Sequence, residues 1–515
     1  MRTARRVLLA GFDGATWDLL ARYAEDGTMP TLQNLLASSR WGDLRSTVPP
    51  VTAPAWAALS TGMNPGKSGV FSFHLPVESI VQFRATTSSD VRAPTLPELL
   101  ERSGLKVQVV NLPTFSYPKK IEGAVLGDIL CPPEQAVQPP ELRGKEPFKS
   151  YRTFPNMSLK HDLPSYIQDI RDLERTRFEC AKELLRGAWD FMFVMFSGTD
   201  WVQHELYGDL LHGLKSRAVS AAEGLYHDLD SYLDWFVSRL GPDDYFGLVS
   251  DHGFQVSPGA FDINRWLLRE GYLRQQGGLS GGANLASRIS VEVPSPIVAA
   301  VSRRPRLWRI AVGAWRSLSG GASLAGNLRP DPAATVAFSQ DYSWGVRLNS
   351  KRRLKAGILG EAEEARVLSE LRKKFDALAA SGIIEKCLPA GEVYSGPHVR
   401  DAPDLILFPR HRSISVPGRS IVDDLPRNGH SMDGLFLLRG RGFSPKGREA
   451  ARIYDITPTI LTLFGLGVPS DVDGESLVGG AKSEGATSQE QTEPLSLSSE
   501  EEAIVEERLR SLGYV

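Results

Sequence analysis

Short, continuously apolar runs recur along the chain, and three of them lead into an aspartate. Val7–Phe12 runs into Asp13, and Phe191–Phe196 is followed by Ser197, Gly198, Thr199 and Asp200. A run at 246–249 leads into Ser250, Asp251, His252 and Gly253, and further runs occupy 107–112, 405–408 and 435–438. Runs that are apolar without alternation read as strands buried on both faces, the habit of a parallel sheet. Helical patterns lie between them. Residues 163–185 place Tyr166, Ile167, Ile170, Leu173, Phe178 and Leu184 at helical spacing, and residues 218–240 do the same with Leu225, Leu229, Leu233 and Phe236. This alternation predicts an α/β fold with a doubly wound, mainly parallel sheet and helices on both faces.

Two stretches depart from the pattern. Residues 270–335 are rich in Gly, Ser, Pro and Arg and read as an inserted cap. Residues 479–500 are dominated by Ser, Glu, Gln and Thr and read as a linker. The expected division is a core in two parts, 1–265 and 346–478, a cap at 266–345, a polar linker at 479–497 and a C-terminal helix at 498–515. That helix is expected to open on Ser499, with Glu502 at capping-box spacing.

Composition narrows the function. With 59 Lys+Arg against 61 Asp+Glu, the net charge of −2 gives no footprint for dedicated nucleic-acid binding. The three cysteines, Cys131, Cys180 and Cys387, are widely spaced, which disfavours a disulfide framework or thiolate zinc site and fits a reducing compartment. The apolar start is too short for a signal peptide, and no apolar run reaches the length of a membrane-spanning helix. A soluble, cytoplasmic protein is expected; the sequence carries no reading of oligomeric state.

The chemistry gathers at strand ends, where open α/β sheets bind their ligands. Asp13, Asp251 and His252 follow predicted strands directly. Asp200 and His204, four residues apart, share one face of a helix. His430, in Asn428-Gly429-His430, precedes the 435–438 run. Three carboxylates and three imidazoles suffice for two divalent-metal sites, with zinc suited to mixed N/O donors and manganese or another divalent ion an alternative. Two such ions roughly 4 Å apart clamp the attacking and leaving oxygens of an in-line displacement. Thr52, in Pro50-Val51-Thr52-Ala53-Pro54, is the candidate nucleophile, with Pro54 marking a helix start whose amides suit a phosphate. The blander role for Thr52 is an N-cap, which does not exclude the first. Asn64, Lys67 and His74 are candidate substrate contacts, while Trp56 reads as helix packing. His161, His212, His227, His398 and His411 match no pattern. A basic, aromatic stretch at 303–309 with Trp315 and Arg316 reads as a solvated face of the cap, with a membrane surface or an anionic leaving group as the sharper alternatives.

Taken in order, Asp13-Gly14, the Thr52 block, Asp200-x-x-x-His204, Ser250-Asp251-His252-Gly253, Gly429-His430 and Asp455-Ile456-Thr457-Pro458-Thr459 resemble the alkaline phosphatase superfamily, in its type I phosphodiesterase/nucleotide pyrophosphatase branch. The resemblance runs from Val7 to Gly474 and implies an alkaline phosphatase-like fold. It implies one metal on Asp200, His204 and His430, and a second on Asp13, Asp251 and His252 with Thr52. It further implies attack by Thr52 on phosphorus, a phospho-threonine intermediate and its hydrolysis, cleaving a phosphodiester or pyrophosphate bond in a small-molecule or nucleotide substrate. The Cys- or Ser-x-Pro-x-Arg block of related sulfatases is replaced here by Thr52-Ala53-Pro54-Ala55-Trp56, and Ser68 stands where relatives often carry histidine. The alternatives are a phosphomutase or phosphotransferase of the same superfamily, and a non-catalytic metal-containing binding protein.

Overall fold

The computed structural model describes residues 5–116, 121–276, 328–340, 343–414, 421–479, 482–483 and 497–512. A nine-stranded sheet forms its centre, in the order Arg448–Arg452, Arg40–Arg45, Asp433–Arg439, Tyr245–Val249, Val7–Phe12, Phe191–Phe196, Val107–Val110, Val125–Leu126, Val137–Gln138. The five strands from Tyr245–Val249 to Val125–Leu126 are mutually parallel. Their unbroken apolar character has a direct cause. Leu8, Ala10 and Phe12 enter one hydrophobic cluster while Val7 and Leu9 enter another on the opposite face. Helices Trp17–Glu25, Leu163–Leu184, Gly198–Leu211 and Arg217–Val237 supply the first cluster; Thr52–Thr61, Leu96–Arg102 and Ile456–Leu463 supply the second.

Two predicted strands pair differently from expectation. Asp433–Arg439, which contains the 435–438 run, is antiparallel to both neighbours within the central sheet. The 405–408 run lies in Leu405–Pro409, outside the central sheet, in a four-stranded antiparallel sheet with Ile384–Pro389, Gly345–Leu348 and Ala337–Phe338. Leu405 and Leu407 face one apolar cluster and Ile406 another, so burial on both faces gives this antiparallel strand the same signature as a parallel one. The accessory cluster draws on residues from Phe261 to Ile414 and packs helix Glu361–Ala380 against its sheet. The middle of the cap stretch, including 303–309 with Trp315 and Arg316, lies outside the described residues.

The C-terminal helix, Ser499–Leu512, docks on the chain's own core. Val505 and Leu509 are wholly buried there, and Arg508 donates to the carbonyls of Ile129 and Cys131. Its capping box is one residue earlier than expected: Ser498 and Glu501, not Ser499 and Glu502, exchange the side-chain–backbone bonds. Among the described residues no helix is long and apolar enough to cross a membrane.

Candidate active site

The carboxyl ends of three adjacent parallel strands converge on one cluster. Asp13 leaves Val7–Phe12 with its amide still bonded to the Phe196 carbonyl. Gly14, at φ +64, then turns the chain so that its amide donates to Asp251 Oδ1 at 3.1 Å. A Cβ at that position would come within 2.8 Å of Phe254 and 3.1 Å of Asp200 Oδ1, so only glycine fits. Asp251 and His252 follow Tyr245–Val249 directly. Asp200 and His204 project from one face of Gly198–Leu211, as their spacing predicts. His430 departs from expectation. It sits inside a strand, Arg427–Ser431, which pairs antiparallel with Gly253–Ser257 as a ribbon and sets His430 opposite Phe254.

The donor atoms form two triads. Asp200 Oδ1 lies 3.5 Å from His204 Nε2 and 3.3 Å from His430 Nε2, and the two imidazole nitrogens are 3.0 Å apart. His252 Nε2 lies 3.3 Å from Asp251 Oδ2 and 3.7 Å from Asp13 Oδ1. The His252 and His430 rings stack at 3.7 Å, so the triads share a wall. Thr52 Oγ1 lies 3.4 Å from His252 Nε2. Thr52 is the first residue of its helix and Val51 the N-cap, so the hydroxyl is not spent on capping and Pro54 is the third helical residue, not the first.

These residues fit divalent cations on three counts. Tetrahedral zinc with ligands at roughly 2.0–2.2 Å sets its donors about 3.3–3.6 Å apart, close to the separations in both triads. His252 Nδ1 faces the Gly253 carbonyl at 3.2 Å and His430 Nδ1 the Pro50 carbonyl at 2.8 Å, which aims each Nε2 lone pair into the cluster. Asp13 Oδ1 and Asp251 Oδ2 are buried and accept no hydrogen bond. Without a cation the charges are strained. Burial, then the neighbouring Asp251 and Asp200, push Asp13 well above the usual carboxylate range, and burial raises Asp251 to about 8. Burial also disfavours ionised Asp200, but His204 and His430 outweigh it and hold that carboxyl low. His252 is held neutral by burial and by His430.

The remaining candidates lie elsewhere. Asn64 and Lys67 follow the C-terminal end of Thr52–Thr61, about 15 Å of helix away from Thr52. Asn64 caps Gly66 and donates to Ser395 and Asp473; Lys67 is paired with Asp473 and donates to the Asp471 carbonyl. His74 sits on a hairpin with Phe83–Ala85, where burial, with Arg510 nearby, pulls its imidazole down to about 4. Among the described residues, no hydrogen bond or ion pair joins Asn64, Lys67 or His74 to the cluster, and local pairing occupies the first two. Trp56 packs edge-on against Phe193, as expected for helix packing.

Sequence reading missed the groups that hold the ligands in place. Thr199 Oγ1 donates to the Asp13 carbonyl at 2.5 Å, and Gln203 donates to that of Gly14. Asn428 joins the Gly208 amide to the His204 carbonyl. Asn111, at φ +61, donates to Met195 and Ser197. Glu174, fully buried against Arg177, accepts from the Gly198 amide at the start of the Asp200 helix. Gln203 and Asn428 stand inside the quoted motifs and were findable there; Glu174 sits mid-helix with no local signal.

Comparisons with known proteins bear on the family and the fold. The family model for type I phosphodiesterase / nucleotide pyrophosphatase matches residues 7–430, a span that includes all seven cluster residues. Phosphonoacetate hydrolase from Sinorhizobium meliloti 1021, solved with phosphonoformate, aligns with a TM-score of 0.55 at 16% identity, covering 90% of this chain and 96% of that one. The alkaline phosphatase PafA aligns with a TM-score of 0.57 at 14% identity, covering 93% and 99%. At such identities these two show the fold, a mixed α/β architecture of alkaline phosphatase type. No curated protein matches the sequence.

Proposed function

The chain belongs to the type I phosphodiesterase / nucleotide pyrophosphatase family, and from that premise we propose that it cleaves a phosphodiester or pyrophosphate bond by attack of Thr52 on phosphorus beside two divalent cations. The observation that carries the reading is the place of the Thr52 hydroxyl, 3.4 Å from His252 Nε2 on the wall shared by both triads. Asp200, His204 and His430 hold one cation; Asp13, Asp251 and His252, with Thr52, hold the other. Zinc suits the mixed donors, and manganese remains compatible. When bound, the ions supply the positive charge that lowers the hydroxyl pKa and neutralises the phosphoryl oxygens.

Thr52 forms the bond to phosphorus as the leaving oxygen departs, giving a phospho-threonine that water then hydrolyses. Amides of the first helical turn have no partner within the helix and are placed to receive a phosphoryl oxygen. The carbonyls of Gly253 and Pro50 fix the two imidazoles, and Glu174 and Asn428 fix the helix that carries Asp200 and His204. The substrate class is a small-molecule phosphoester. None of the three cysteines, all buried, forms a disulfide, which supports a cytoplasmic setting.

The test is hydrolysis of bis-p-nitrophenyl phosphate beside p-nitrophenyl phosphate, on chelator-treated protein with zinc or manganese restored. Metal-dependent turnover favouring the diester is expected. Turnover favouring the monoester, or product appearing only on an added alcohol, would replace the reading with a phosphatase or a phosphotransferase.

A further inference from the structure

A cavity of about 700 Å³ opens between the segment from Gly69 to Arg92 and the Gly345–Leu348 strand of the accessory sheet. Arg84, Arg92, Arg347, Arg352, Arg353 and Arg400 line it, against the two carboxylates Asp90 and Asp401. None of the seven cluster residues reaches it.

Four of the six arginines are matched. Arg84 is bidentate on Asp90, at 2.8 and 2.6 Å. Arg353 pairs with Asp404 at 2.7 Å, Arg352 with Glu364 at 3.4 Å, and Arg400 lies 4.0 Å from Asp401. Arg347 is different. It is 4% exposed, and it donates to two neutral acceptors, Gln340 Oε1 at 2.9 Å and the Asp401 carbonyl at 2.7 Å. Among the described residues no carboxylate forms an ion pair with it. Burial, then the neighbouring Arg353, pulls its guanidinium down to about 10. Arg353 Nε is also buried and donates to nothing, and the exposed Arg92 side chain on the rim has no partner among the described residues.

A buried charge is costly unless something pairs with it. A buried guanidinium lining an open cavity, with further unspent N–H groups beside it, has the partner it needs when an anion enters. The planar fork of arginine suits tetrahedral oxyanions, which it can bind through two parallel bonds. We propose that this cavity is a second anion site, separate from the catalytic cluster, which seats a small, multiply charged oxyanion of phosphate or pyrophosphate type on Arg347, with Arg353 and Arg92 closing on it. This does not rest on the Thr52 chemistry.

The test is a titration of the full-length protein, as purified, with inorganic pyrophosphate, read by calorimetry and by melting temperature. Binding that weakens with salt is expected in the wild type and equally in Asp251→Asn, whose catalytic cluster is impaired. Arg347→Met, which keeps the apolar stem, should weaken binding at least about tenfold and abolish the rise in melting temperature. The double variant Arg92→Ala/Arg400→Ala alters only exposed side chains and should weaken it in the same direction, which guards against misfolding of the buried variant. Unchanged binding in both would overturn the proposal. So would binding lost in Asp251→Asn but kept in Arg347→Met, which would assign the anion to the metal cluster and leave the proposed function standing. If the natural anion is part of the substrate, a pyrophosphate-bridged dinucleotide displaces pyrophosphate; if it is a free ion, the two bind together.

Discussion

The aspartate–histidine cluster proposed to be catalytic and the arginine cavity are electrostatic opposites. The first crowds three buried carboxylates, two of them with oxygens that accept no hydrogen bond, around imidazoles aimed inward by backbone carbonyls. The second crowds six guanidiniums around two carboxylates and leaves its most buried member, Arg347, without an ion pair among the described residues. Each violates the rule that buried charges are paired, and each violation names the sign of what is missing. Both regions also contrast with another buried charge site, Arg177 with Glu174, where both side chains are wholly buried and the pair is closed at 2.8 Å. There the fold supplies both partners, and the pair serves to fix a helix.

The largest expected effect breaks the catalytic side of this comparison. Thr52→Ala should lower turnover by on the order of 10³-fold or more while metal content stays largely unchanged, measured on the diester and by elemental analysis. Near-normal turnover would remove the covalent step. Next, Arg177→Met leaves Glu174 buried without its counter-charge, which should cost about 3–5 kcal/mol by denaturant unfolding. Arg347→Met removes an unmatched charge, so without added anion its stability should stay level or rise. A loss in Arg347→Met as large as in Arg177→Met would erase the distinction between the two arginines. Asp251→Asn comes third: it should lower metal occupancy, yet stabilise chelator-treated protein at pH 8, because burial raises that carboxyl to about 8 and ionising it there opposes folding.

These contrasts were unequally visible in the sequence. The parallel strands were legible because both faces are buried, and Asp13, Asp251 and His252 because they follow those strands directly. The same reasoning misassigned 405–408, since an antiparallel strand sandwiched between two apolar clusters carries an identical pattern. His430 was legible as chemistry but not as structure: Arg427–Ser431 is a half-buried polar ribbon with no apolar period. Glu174 and Arg347 were invisible. Each is a charged residue inside an otherwise ordinary helix or strand, and only the packing of distant segments decides whether it is solvated or sealed.

The smallest effect lies away from both regions, at a buried carboxyl beside the docked C-terminal helix. Burial raises Asp128 to about 7, above the value near 3.9 of an unfolded aspartate. The folded chain therefore holds an extra proton between about pH 4 and 7, and this group's contribution to stability falls as pH rises through that window. Asp128→Asn should flatten that slope and raise the melting temperature at pH 8 by a few degrees. An unaltered slope would mean that the carboxyl ionises freely in the fold.

The spread of the ligands along the chain sets an order of assembly. Asp13, Thr52, Asp251 and His252 all precede the accessory sheet in sequence, whereas His430 follows it. As the polypeptide emerges during synthesis, one proposed donor triad is complete while the other still lacks His430. His430 arrives only after the accessory segment has been made, on a ribbon whose one strand partner, Gly253–Ser257, directly follows the first pocket. On the proposed assignment, the Asp13–Asp251–His252 group has its donors before the accessory segment is made, and the Asp200–His204–His430 group is completed only when the ribbon pairs.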